Sequence, residues 1–318
     1  MADDKTAPQA PADNRDTLDG FLFALAAYLM WGFLPFYMKA LAHVPAAEVV
    51  AHRALWSVPI AGVVLVALRR TADLKAALRS WPMIRMAMLT AGLISINWGV
   101  YVWAVGNGRT VETALGYYIN PLFSVLLAAT LLKERLNRAQ WVAIAFAVVA
   151  VAILTVESGG LPWVSLALCV SWGFYAFFRK TLPIGPNQGF LLEVLILSPF
   201  ALGYLIWLSL TGQNHFAGGD WRDMALLAGA GLVTAVPLIS YANGAKRLRL
   251  STIGIMQYIA PSIIFIIAVF AFREPFDMTR LVAFGFIWAA LVIYSWSMAS
   301  GARRARARLP DVEPGQKT

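Results

Sequence analysis

Glu48 and His52 stand four residues apart, on one helical face, with Arg53 beside them. A carboxylate, an imidazole and a guanidinium at that spacing can hold a charged group, close a gate or pass a proton. Histidine ordinarily titrates near neutral pH, so His52, or a buried carboxylate such as Glu193, could couple a proton to movement. The simpler alternatives are a Glu48–Arg53 pair that anchors a helix end and a neutral His52 bonded to a neighbouring helix. A second set is polar and aromatic. Asn97 and Tyr101 share a face, Tyr117, Asn120, Pro121 and Ser124 cluster, and Pro237, Tyr241, Gln257, Tyr258 and Pro261 follow later. Together they could line a polar cavity that binds a small molecule. Proline frees a carbonyl one turn back, which makes Pro121, Pro237 and Pro261 expected hinges. Trp31, Trp98, Trp103, Trp172 and Tyr175 could add an aromatic wall, although packing or an interfacial belt explains any one of them alone.

The elements that carry these residues are apolar. Of 318 residues, 59% are apolar and 14% charged, with a mean hydropathy of +0.66. An ordinary soluble domain has about 25% charge, so a soluble protein and a disordered one are both excluded. Apolar runs bounded by charge, Gly or Pro predict ten spans, at 20–40, 47–68, 82–105, 112–132, 139–156, 162–180, 188–210, 222–246, 252–272 and 279–299. The runs are too long, and lack the alternation, for a membrane barrel. Residues 1–19 read as a hydrophilic tail rather than a signal peptide, and 300–318 as a basic tail. The single cysteine, Cys169, permits no internal disulfide and no cysteine metal cluster. No metal or cofactor is expected.

The net charge of +9 is an orientation signal rather than a nucleic-acid surface. If ten spans alternate, only Lys39, Arg109, Arg222, Arg273 and Arg280 fall opposite the two tails, Arg53 lies within a span, and every other Lys and Arg falls on the tail side. The positive-inside rule then predicts cytoplasmic termini. The Arg303–Arg308 run fits anionic headgroups.

A shift of about 140 residues lays the second half on the first. Trp31-Gly32-Phe33 meets Trp172-Gly173-Phe174, Tyr101 meets Tyr241, Tyr118-Ile119 meets Tyr258-Ile259, and Pro121 meets Pro261. Two units result, 20–156 and 162–299, each of five spans. An odd number turns the second unit over in the membrane, the architecture of many secondary transporters, with a midplane site between the units. The shift also sets Arg53 on Glu193, opposite charges that could form alternating gates or clasp a zwitterion.

Specific motifs join the repeat. Glu48-x-x-x-His52-Arg53-x-x-Trp56-Ser57, Asn97-Trp98-x-x-Tyr101-x-Trp103-Ala104-Val105 and Leu115-Gly116-Tyr117-Tyr118-Ile119-Asn120-Pro121-Leu122 resemble the RarD proteins of the EamA branch of the drug/metabolite transporter superfamily. So do Thr234-Ala235-Val236-Pro237-Leu238 and Gln257-Tyr258-Ile259-Ala260-Pro261, and the resemblance covers about residues 18–300. It implies an all-α integral membrane fold of ten transmembrane helices as two inverted five-helix EamA repeats, in a bacterial inner-membrane permease. It also implies an exporter of a small metabolite, an amino acid or a drug such as chloramphenicol.

Competing classes lack their signatures. No GxxxxGK[ST] loop supports an ATPase. An enzyme acting on a lipid-linked substrate would need clustered acids or histidines, and the chain has three scattered His. A passive channel would show a charge ring or a filter repeat. The expected partners are a small-molecule substrate, the lipid bilayer, protons as a coupling ion, and no nucleic acid. Ala143, Ala147 and Ala150 form a small-residue stripe that suits close helix contact in the fifth span, with a homodimer as one such contact. Lys133-Glu134-Arg135 and Arg273-Glu274 are read as solvated charges that fix helix ends.

Overall fold

A computed structural model describes residues 16–69, 71–131, 133, 136–181, 183–245, 247–248 and 250–307. Their regular structure is entirely helical: α1 (Leu18–Ala40), α2 (Ala46–Ala67), α3 (Thr71–Leu78), α4 (Trp81–Gly106), α5 (Thr110–Leu131), α6 (Arg138–Glu157) and α7 (Trp163–Thr181), then α8 (Pro186–Leu210), α9 (His215–Gly218), α10 (Trp221–Ala245), α11 (Leu250–Met256), α12 (Ile259–Ile266) and α13 (Met278–Ala307). Nine stretches among the described residues are long and apolar enough to cross a membrane, and Trp163–Arg179 is a shorter apolar helix. The protein is an all-α membrane protein.

Four local features depart from the ten simple runs. The link after α2 folds into α3, whose Leu74 and Ala77 pack on Leu192 of α8. A short α9 precedes α10. The ninth span breaks between Met256 and Ile259 and ends in a π turn, Ile267–Ala271. Finally, α13 continues through residues 300–307, because Ala and Arg are strong helix formers. The remainder of the two expected tails, with Glu134 and Arg135, lies outside the described residues.

Helix ends alternate between two faces. On the tail face, the Thr17 amide donates to the Arg247 carbonyl at 3.3 Å and Asn137 donates to Ser297 at 2.8 Å. On the far face, Lys39 donates to the Val105 carbonyl at 3.4 Å and Arg280 approaches Glu157 at 3.4 Å.

The two halves interlock rather than sit side by side. The main partner of α2 is α8, of α6 is α13, of α1 is α10, of α4 is α7 and of α5 is α7. Each of these pairs joins one half to the other. The pairing is also two-fold: α1–α10 is matched by α7–α4, and α1–α12 by α7–α5. Glycines carry the symmetry down to single contacts. A β-carbon on Gly32 would meet Ile263 at 2.8 Å, and one on Gly173 would meet Phe123 at 2.4 Å. Both glycine and neighbour are thus related by the repeat. Lys133 and Arg273, also repeat partners, both take left-handed backbone, with φ of 57° and 54°.

Membrane helices gain little from burying apolar surface against one another, so close approach of small residues holds them. The Ala143–Ala147–Ala150 stripe does this inside one chain. All three are buried against Ala283, Phe284, Ile287 and Ala290 of α13. The stripe, with a homodimer as one expected contact, is consumed by the protein's own last span.

Candidate functional site

The helices meet around a central cavity of about 160 Å³. Both halves build its wall. Tyr28, Trp31 and Leu34 come from α1, Arg53 from α2, Ile94, Asn97, Trp98 and Tyr101 from α4, and Tyr117 and Asn120 from α5. The second half adds Trp172 of α7, Thr234, Leu238 and Tyr241 of α10, and Gln257, Ala260, Pro261 and Ile264 of the broken ninth span. Repeat partners line it in pairs: Trp31 and Trp172, Ile94 and Thr234, Trp98 and Leu238, Tyr101 and Tyr241, Tyr117 and Gln257.

Seven of the residues expected to bind substrate, Arg53, Asn97, Tyr101, Tyr117, Asn120, Tyr241 and Gln257, therefore share one wall. Tyr258 does not. It packs into the cluster formed by α5, α6 and α13: Gln257 and Tyr258 make the turn that breaks the ninth span, and the two side chains leave it towards different neighbours, Gln257 to the cavity and Tyr258 to the packing. Its repeat partner Tyr118 turns the same way and bonds Ser262 at 2.8 Å. Of the aromatic wall, Trp31, Trp98 and Trp172 line the cavity. Tyr175 lines a neighbouring cleft instead, and Trp103 lies at the far face against Trp163. Pro121 and Pro237 sit inside helices and Pro261 in the first turn of α12, all three are buried, and of the three Pro261 reaches the cavity.

Among the described residues, Arg53 is the one charged side chain that lines the cavity. Its Nε donates to Thr234 Oγ1 at 2.9 Å, and its guanidinium lies 4.6 Å over the Trp98 ring. Asn97 works mainly as a brace. Its Nδ2 donates to the Leu168 carbonyl at 3.1 Å and to Ser171 Oγ at 3.0 Å, and its Oδ1 accepts from Tyr117 at 3.3 Å. Three helices are thereby pinned at the cavity's edge.

The expected charge pairs are rearranged. Glu48 does not pair with Arg53. Its carboxylate takes the backbone N–H of His215 at 2.8 Å and bonds the ring Nδ1 at 2.7 Å. His52 points out of the cavity, stacks on Phe216 at 4.9 Å, and accepts from Trp56 Nε1 at 3.2 Å. Glu193 meets Arg179 at 3.3 Å and accepts from Tyr175 at 3.1 Å, so it faces neither Arg53 nor the cavity. Glu274, expected to be solvated, is buried and accepts from the amides of Thr110 and Val111 at 2.7 and 2.8 Å, capping α5.

Closure is uneven. Towards the tail face, Tyr28, Trp31 and Tyr241 form a contact triad with ring centroids 5.6–5.9 Å apart. Beyond Trp31, Trp172, Leu238 and Tyr241 lies a second cleft of about 530 Å³, which Arg179 and Asn187 also line. Towards the far face the barrier is deeper. Tyr37 donates to the Leu226 carbonyl, Met38, Leu41, Val44 and Val49 are packed solid, and Glu48–His215 and His43–Asp223, the latter at 2.9 Å, clasp the surface.

His43, His215, Asp223, Arg179 and Thr234 are not among the expected site residues. Thr234 had a signal, since its repeat partner Ile94 shares the face of Asn97 and Trp98. The loop residues had none.

An interlocked bundle of two five-span repeats around a central cavity is the architecture of many membrane transporters. The chain belongs to the EamA-like transporter family, which matches it twice, over residues 18–156 and 160–296. It is 42% identical to Protein RarD of Streptomyces exfoliatus over 93% of this chain and 94% of that protein. An "Uncharacterized transporter" of Vibrio cholerae is 40% identical over 92% of this chain and 98% of the other. RarD-type EamA proteins are permeases, not enzymes, and these relatives are bacterial, in keeping with the inner membrane. One solved crystal structure shares the fold, with a TM-score of 0.55 at 19% identity, covering 86% of this chain and 95% of its own.

Proposed function

We propose that the chain is a secondary carrier that exports a small metabolite by alternating access, loading it in the central cavity from the cytoplasm. The observation that carries the reading is the cavity's uneven closure between two repeats, thin towards the tail face and thick towards the other. Lys and Arg are concentrated on the tail side, which supports cytoplasmic termini. The thin wall then faces the cytoplasm, as an exporter waiting to load requires. Two related units of near-equal energy can exchange which face is thin.

In this reading Arg53, Tyr101, Tyr117, Asn120, Tyr241 and Gln257 contact substrate, and Asn97 holds the helices that present them. Pro121, Pro237 and Pro261 are the hinges. The Glu48–His215 clasp is the outer gate, and Arg179–Glu193 is an ion pair on the cytoplasmic side that parts in the opposite swing. His52 and the two carboxylates are the groups available for proton coupling.

The test is purified protein in liposomes, with labelled amino acids, nucleosides and chloramphenicol, and an imposed pH gradient. Saturable uptake above equilibrium that needs the gradient and is lost in Arg53→Ala supports the carrier. Non-saturating equilibration of the same compounds points to a channel and contradicts it.

A further inference from the structure

We infer that the central cavity takes a small carboxylate with a flat apolar body, its anionic head seated on Arg53. This deepens the carrier reading and rests on it for the use of the cavity.

A guanidinium deep in a membrane protein is costly unless opposite charge meets it. Arg53 is 4% exposed and has no ion-pair partner among the described residues. Thr234 takes its Nε, Trp98 lies beneath its plane, and its Nη1 bonds nothing. Glu48, five residues back on the same helix, and Glu193, at the repeat position of Arg53, are both buried and engaged elsewhere, Glu48 by His215 and Glu193 by Arg179. Among the described residues, no acidic side chain lines the cavity. The missing counter-charge must therefore come from a ligand, and a carboxylate matches the planar fork of a guanidinium with two parallel bonds.

Two further wall residues carry buried polar atoms without a partner, the Tyr101 hydroxyl and Asn120 Oδ1. The hydroxyl can donate to the same head. Asn120 Oδ1 can only accept, so it selects a ligand with an N–H or O–H away from that head. Trp31 and Trp172, from opposite halves, offer ring surface to a flat body. A single basic side chain fits one negative charge rather than a phosphate dianion, and a wall with no acid gives a cation nothing to pair with.

The test compares three labelled probes that share a ring and a hydroxyl: 4-hydroxybenzoate, 4-hydroxybenzamide and 4-hydroxybenzylamine. Equilibrium binding is measured on the full chain in lipid nanodiscs, for the parent protein, Arg53→Lys and Arg53→Gln, each checked by its melting curve. We expect the carboxylate to bind at least about tenfold more tightly than the amide or the amine. Arg53→Gln abolishes that preference, and Arg53→Lys keeps part of it. Equal binding of the three, binding of none, or an intact preference in a folded Arg53→Gln protein overturns the inference. The carrier reading fails separately, in liposomes, if no compound of the wider panel accumulates above equilibrium.

Discussion

The carboxylate of Glu48 is gripped twice by His215, through its backbone N–H and its ring, although His52 stands one turn away on the same helix. The contact spans 167 residues and ties the short α9 to α2, so the loop above the far face is part of the closed structure. Removing the acceptor frees the His215 amide. In Glu48→Ala, backbone exchange over residues 211–221 is expected to quicken by roughly tenfold in hydrogen–deuterium measurements, and in Glu48→Gln by less. Unchanged exchange would mean that the clasp does not hold the loop.

Asn97 makes three hydrogen bonds that join α4, α5 and α7. Asn97→Leu removes the donor to Ser171 Oγ, one of the donors to the Leu168 carbonyl and the acceptor of the Tyr117 hydroxyl, which costs about 1–3 kcal/mol. The melting temperature of the detergent-solubilised protein should fall by several degrees. Ligand affinity in the surviving folded fraction should change less than in Arg53 variants, because Asn97 acts through its neighbours.

Gly32 and Gly173 permit matching close approaches on the two sides of the pseudo-two-fold. Gly173→Ala drives a β-carbon into the Phe123 ring, and Gly32→Ala drives one into Ile263. Overpacking of this kind costs about 1–3 kcal/mol, and each variant should melt earlier than the parent. Gly62→Ala, whose β-carbon meets nothing within 4 Å, is the control and should melt no earlier than the parent, since alanine favours a helix interior over glycine.

Glu274 caps α5 from a loop 163 residues further on, satisfying the amides of Thr110 and Val111. A carboxylate at a helix N-terminus also complements the helix dipole. Glu274→Ala should lose about 1–2 kcal/mol of stability, and Glu274→Gln roughly half of that, read by thermal unfolding in one detergent. Equal melting of both variants and the parent would remove the cap from the account.

The spans were legible because a membrane-crossing helix needs some 20 apolar residues and little else resembles that. Much of the cavity was legible through the repeat, since Trp31 with Trp172, Tyr101 with Tyr241, and Tyr117 with Gln257 turn the same way in each half. Adjacent residues were harder. Gln257 and Tyr258 share a motif, yet the turn they form between α11 and α12 sends one to the cavity and the other into packing. The pairings of Glu48, Glu193 and Glu274 were not legible. Periodicity reports which face a residue occupies on its own helix, and it is silent on which loop closes over that face. The alanine stripe was recognised as a contact surface, but its partner, α13, arises from the interlocked topology.

That topology has a consequence for synthesis. The ribosome delivers the first five spans before any of their principal partners exists, so the leading half waits in the bilayer with its mating surfaces facing lipid. Assembly finishes only when the last span reaches α6. A chain stopped after residue 157 should be degraded, and the same fragment expressed beside residues 158–318 should be rescued by it.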